Sequence, residues 1–226
     1  MSLPKQIQRS EEAIVVEPMG ASADAAVIWL HGLGADGNDF LGILPELELA
    51  ADHRIRFIFP NAPVQPVTIN GGMQMPFWYD IRSLDFLADF DQQGVNQSVA
   101  QISALLEKQI ASGIASQRII LAGFSQGGLI ALHCGLGYKS SLAGVMALST
   151  YCPNSEQFTQ HQNMPILMMH GDQDPVIPLA VAEASKAALL AKGYEIEWHQ
   201  YAMQHQVCAE QVAEISRWLN QCLPIQ

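Results

Sequence analysis

The chain has 226 residues, of which 49% are hydrophobic and 15% charged, with a net charge of −11. Such a chain has apolar material for one domain with a substantial core, and its composition excludes a disordered polypeptide. The acidic balance argues against a nucleic-acid partner and against charge-driven docking on anionic lipid, both of which need clustered Lys and Arg.

In chain order, Ile14–Val16 reads as a first strand, ended by Pro18 and Gly20. Ala25–Leu30 is a second; it is wholly apolar, as expected of a strand buried on both faces of a parallel or mixed sheet. It runs into His31-Gly-Leu-Gly-Ala-Asp-Gly37, whose three glycines let the backbone double back and present N–H groups to a ligand. A helix is predicted from Asn38 or Asp39 to Leu49, interrupted or restarted at Pro45, and a strand at Ile55–Phe59. The stretch from Asn61 to Phe90 breaks the rhythm. It carries several prolines, Asn70-Gly71 between β-type residues, and Phe77-Trp-Tyr-Asp80. Asn-Gly predicts a small hairpin, and an irregular insertion of this length in a compact domain is the usual form of a lid or binding loop. Its aromatics either form an apolar substrate surface or staple the loop to the core. On the first reading Trp78, together with Val176, faces the substrate.

Apolar residues from Val95 to Ile110 recur every three or four positions, giving an amphipathic helix over Gln92–Ser112. Next comes a β-branched strand, Ile119–Ala122, then Gly123-Phe-Ser-Gln-Gly127, then a helix from Gly127 to Leu136. Glycines on both sides of a serine in a strand-to-helix turn permit a turn sharp enough to raise the hydroxyl at the helix N-terminus. Further strands are predicted at Leu142–Leu148, Pro165–Met169 and Tyr194–Tyr201, with helices at Leu179–Leu190 and Val207–Leu219. Strands alternating with helices predict an α/β fold with a mostly parallel sheet. No linker, repeat or charge block divides it, so a single domain over residues 1–226 is expected.

Three strand ends carry reactive side chains, in the order Ser125, Asp172 or Asp174, His205. A serine hydroxyl needs a base to take its proton, histidine titrates near neutrality, and a carboxylate fixes the imidazole tautomer. An oxyanion hole would use the N–H of Gln126 and one in the glycine loop, that of Leu33. Spacing alone does not separate Asp172 from Asp174. Six other histidines compete with His205; His31 and His170, beside loop glycines, read as structural. Cys208 reads as a small buried residue rather than a nucleophile. The four cysteines lie far apart with no metal-ligand spacing, so reduced thiols and no metal or other cofactor are expected. No secretory leader and no membrane span are visible, which makes a cytoplasmic protein the expectation.

His31-Gly-Leu-Gly-Ala-Asp-Gly37, Met75-Pro-Phe-Trp-Tyr-Asp80, Gly123-Phe-Ser-Gln-Gly127, His170-Gly-x-x-Asp174 and Met203-Gln-His205 resemble, in order, the motifs of the phospholipase/carboxylesterase family of α/β-hydrolases, which includes bacterial carboxylesterases and acyl-protein thioesterases. The resemblance spans about residues 12 to 220. It implies an α/β-hydrolase fold with a lid-like insertion at about 61–90. Ser125 maps onto the family's nucleophile, Asp174 onto its acid, His205 onto its base, and Leu33 and Gln126 onto the backbone donors of its oxyanion hole. Thr68–Gly72 is closer to the bacterial esterases than to the eukaryotic thioesterases, and Phe77 stands where a small residue is expected. The implied reaction is hydrolysis of short- to medium-chain carboxylic esters through an acyl-enzyme, with thioester or lysophospholipid cleavage as the alternative within the class. A hydrolase fold that binds without turnover is the alternative outside it. The expected partner is a small-molecule ester or thioester, with a homodimer left open.

Overall fold

The computed structural model describes residues 6–83 and 89–225; residues 84–88, within the predicted insertion, lie outside the described set. Eight strands form one sheet: β1 (Ile7–Arg9), β2 (Ala13–Val16), β3 (Ala25–Leu30), β4 (Ile55–Pro60), then β7 (Ile119–Phe124), β8 (Gly144–Leu148), β9 (Ile166–Gly171) and β10 (Ile196–Tyr201). Their spatial order is β1-β2-β4-β3-β7-β8-β9-β10. β1, β2 and β4 pair antiparallel, and every pair from β4 across to β10 is parallel. This is the mostly parallel sheet of an α/β-hydrolase.

The wholly apolar strands are apolar because both faces are covered. Ala26, Ile28 and Leu30 of β3 join one core with Leu121, Val145 and Met168; Val27 and Trp29 join a second with Ile120, Met146 and Leu167 on the opposite face. Successive side chains point to opposite faces, so no position along such a strand is free to be polar. Helices α1 (Gln92–Ala111) and α2 (Gln126–Gly137) contribute to the first core and α4 (Ala209–Cys222) to the second, through Ile215, Trp218 and Leu219. Helix α3 (Leu179–Ala191) packs beside β9.

Three elements differ from expectation. The helix predicted from Asn38 or Asp39 to Leu49 is a 3₁₀ segment, Leu41–Glu46, with Pro45 inside it. In an α-helix the Pro45 ring would meet the carbonyl of Leu41, and Gly42 adds little helical preference. The three residues of β1 are all exposed and carry no apolar pattern, so this edge strand is invisible to periodicity. The hairpin exists, but its first strand, β5 (Val64–Val67), lies earlier than Asn-Gly suggests; it pairs with β6 (Met73–Pro76). Thr68–Asn70 form a 3₁₀ turn between them, closed by Gly71 and Gly72 at positive φ. Asp80 holds that turn by accepting from the Thr68 N–H at 2.9 Å and its hydroxyl at 2.5 Å.

Candidate active site

Ser125 sits between β7 and α2 at φ 55° and ψ −120°, a backbone conformation that L-residues rarely adopt. The flanking glycines are steric necessities. A Cβ on Gly123 would lie 2.2 Å from the Gly127 backbone, and one on Gly127 would lie 2.5 Å from the Leu30 carbonyl oxygen. The turn is pinned further by the Ser125 N–H donating to Leu148 O at 2.9 Å and the Thr150 hydroxyl donating to Ser125 O at 2.7 Å.

Asp174 follows β9 and His205 follows β10. The two loops meet because Gly171 has no side chain; a Cβ there would lie 2.2 Å from Met203 O. Backbone bonds from Asp172 N to Tyr201 O and from Gln173 N to Met203 O lock them together. His205 Nδ1 then lies 2.7 Å from Asp174 Oδ2. A carboxylate only accepts, so Nδ1 is the donor, and in the neutral imidazole the lone pair is then left on Nε2. The other oxygen of Asp174 accepts from the N–H groups of Val176 at 2.8 Å and Ile177 at 2.9 Å. Asp172, by contrast, is exposed. Of the two acids after β9, Asp174 is the one beside His205. His205 itself is braced by the Phe124 ring, with centroids 4.7 Å apart.

A cavity of about 310 Å³ brings these parts together. Ser125, His205, Leu33 and Gln126 line it, with Tyr79, Ile81, Tyr151, Val176 and Ile177 among the other walls. Gln126 is the first residue of α2, where a backbone N–H has no acceptor within the helix. Val176 is 48% exposed, at the cavity's open side.

Trp78 is not part of this cavity. It is buried, its indole N–H donates to His31 O at 2.8 Å, and its ring belongs to the first core. The stapling reading describes it, because the ring is buried in the core and does not line the cavity beside Ser125. The insertion reaches the cavity through Tyr79 and Ile81 instead. Phe77 is buried beneath the hairpin, near Pro63 and Gln65, and leaves the cavity's shape untouched.

Two further buried side chains hold the site in place. The buried amide of Gln126 clamps the insertion: its Oε1 accepts from Trp78 N–H at 3.1 Å and its Nε2 donates to Tyr79 O at 2.8 Å. His170 lies behind Asp174, with Nε2 donating to Ile177 O at 2.8 Å and 3.5 Å from Asp174 Oδ2. Burial lowers its pKa from the usual imidazole value, against smaller upward pulls from Ile177 and Asp174. His31 is fixed likewise, Nδ1 donating to Gly32 O at 2.7 Å and Nε2 accepting from Ala62 N–H at 3.1 Å. Burial lowers its pKa too. Both histidines hold loops, as their places beside glycines suggest. Among the described residues all four cysteines are free thiols.

A serine raised on a strained turn beside a histidine–carboxylate pair invites comparison with known hydrolases. The family model described as phospholipase/carboxylesterase matches residues 11–223. The chain belongs to the phospholipase/carboxylesterase family. Among its relatives, acyl-protein thioesterase 1 of Yarrowia lipolytica is 35% identical, covering 90% of this chain and 94% of the relative. Acyl-protein thioesterase 1 of Neurospora crassa is 36% identical, over 92% and 90%. The solved structure of Zea mays acyl-protein thioesterase 2 superposes with a TM-score of 0.81 at 28% identity, covering 93% of this chain and 98% of that one. As a phospholipase/carboxylesterase family member the chain is a hydrolase of the carboxylesterase and thioesterase type, acting on esters. Among the described residues no helix is long and apolar enough to cross a membrane.

Proposed function

We propose that the chain is a metal-free serine carboxylesterase cleaving short- to medium-chain esters through an acyl-enzyme, with Ser125, His205 and Asp174 as its triad. The observation that carries this is the 2.7 Å contact of His205 Nδ1 with the buried Asp174, made by a histidine that lines the same cavity as Ser125. His205 Nε2 takes the Ser125 proton as Oγ attacks the ester carbonyl, and Asp174 stabilises the imidazolium that forms. The carbonyl oxygen, now an alkoxide, is met by the N–H groups of Leu33 and Gln126, the latter at the positive end of the α2 dipole. His205 returns the proton to the leaving alcohol, and water repeats the sequence on the acyl-enzyme. The cavity's apolar walls, Ile81 and Val176 with the ring of Tyr79, receive the acyl chain.

The relatives named as acyl-protein thioesterases favour a second reading, cleavage of S-acylated protein by the same residues. A panel of matched oxygen and thioesters separates the two. A fluorophosphonate probe tests the chemistry: it should label Ser125 and no other residue, and Ser125→Ala should lose the label and about 10⁴-fold or more in kcat. An unlabelled parent would instead point to a binding module on a hydrolase fold.

A further inference from the structure

A second, larger space adjoins the cavity beside Ser125 at a single described residue. It is an open groove of about 540 Å³ between the segment after β8 and α3, walled by half-buried Phe90 and Val181 and by the exposed Ala184 and Ala188. Among the described residues, Tyr151 is the one that both linings share. Its side chain is 3% exposed, so it stands as a wall between the two spaces rather than at the mouth of either.

Tyr151 is held from both sides. Its hydroxyl meets that of Tyr79 at 3.5 Å, and Tyr79 is anchored through its carbonyl to the buried Gln126 amide. The Tyr79 ring in turn lies 5.9 Å from that of Phe90, at the edge of the larger space. On the other side, the N–H of the next residue, Cys152, donates to Ser185 Oγ of α3 at 2.9 Å.

We propose that Tyr151 sets the acyl-length limit of this hydrolase. The acyl chain bound beside Ser125 ends against its ring, and the apolar groove on the ring's far side stays out of reach. This rests on the esterase reading above, with Ser125 as nucleophile. Each methylene taken from water into an apolar wall raises kcat/KM about fourfold, so the gain with chain length stops where the chain meets the ring. Removing the ring joins the two spaces and lets the gain continue.

The test is kcat/KM for p-nitrophenyl esters from acetate to palmitate, normalised to active sites titrated with the fluorophosphonate. The parent should climb and then level. Tyr151→Ala should keep climbing for about four further carbons, which raises its preference for long over short esters roughly 200-fold. Adding Ala184→Trp, which fills the larger space from the exposed face of α3, should restore the parent's break. Ala184→Trp alone should leave the break where the parent has it. An active Tyr151→Ala whose break does not move overturns the partition while leaving the esterase reading intact. A shortened limit in Ala184→Trp alone also overturns it, because the native chain would then already pass Tyr151. Tyr151→Leu, which keeps more of the core volume, repeats the first arm if the alanine variant does not fold. A parent that hydrolyses no ester and takes no probe removes the esterase reading, and this inference with it.

Discussion

Replacing Gln126 by leucine removes the clamp between the nucleophile helix and the insertion while preserving shape. The amide is buried and makes one bond in each direction, to Trp78 N–H and Tyr79 O. Leucine answers neither, so a donor and an acceptor are stranded inside the fold. Each stranded group costs about 1–3 kcal/mol, so the two together cost roughly 2–6 kcal/mol. Urea unfolding of parent and variant measures this directly as a fall in midpoint at constant m. Activity should fall as well, although the Gln126 N–H proposed for the oxyanion hole is untouched. Tyr79 and Ile81 are the insertion's contribution to the cavity, and a displacement of about 1 Å there is enough for a loss on the order of 100-fold in kcat/KM. Gln126→Glu is the control. Its carboxylate can accept from Trp78 N–H but opposes the Tyr79 carbonyl, so its stability deficit should shrink as acid protonates it. A Gln126→Leu variant within about 0.5 kcal/mol of the parent, the scatter of ordinary surface changes, and with unchanged kcat/KM would refute the clamp.

The two acids after β9 should separate sharply: Asp174→Asn should lose about 10⁴-fold in kcat by offering His205 the wrong partner, and the exposed Asp172→Asn should stay near the parent in the same ester assay. The buried His133, whose Nε2 donates to Pro153 O at 3.0 Å, has its pKa lowered by burial to about 4. The unfolded chain therefore binds a proton between about pH 6.5 and 4 that the fold refuses, and stability is lost as pH falls through that window. At pH 4 this amounts to roughly 3 kcal/mol. His133→Gln, measured by urea unfolding at pH 7, 5.5 and 4, should show a correspondingly shallower decline.

Much of this organisation is legible in the sequence because its causes are local. Ala25–Leu30 is apolar at every position, which is what burial on both faces demands, and Gly123-Phe-Ser-Gln-Gly127 has glycine only where side chains would strike the backbone. What stays hidden depends on contacts between distant segments. Trp78 reads equally as wall or staple until its indole is seen on His31, 47 residues away. The Gln126 amide is an ordinary polar side chain until the insertion folds over it. Tyr151 is an unremarked aromatic after a strand, and only the meeting of two cavities at its ring marks it. The β1 strand and the 3₁₀ segment at Leu41–Glu46 escaped for the opposite reason: one has no pattern to read, and the other carries a helical pattern that Pro45 overrules.

The positive φ of Ser125 sets fitness for folding against fitness for chemistry at one residue. A side chain in that conformation costs about 1–3 kcal/mol, and glycine is the residue that adopts it freely. The change that would most relax the turn is therefore also one that deletes the proposed nucleophile. A lineage of this fold released from the need to hydrolyse would drift toward glycine at this position and gain stability by doing so.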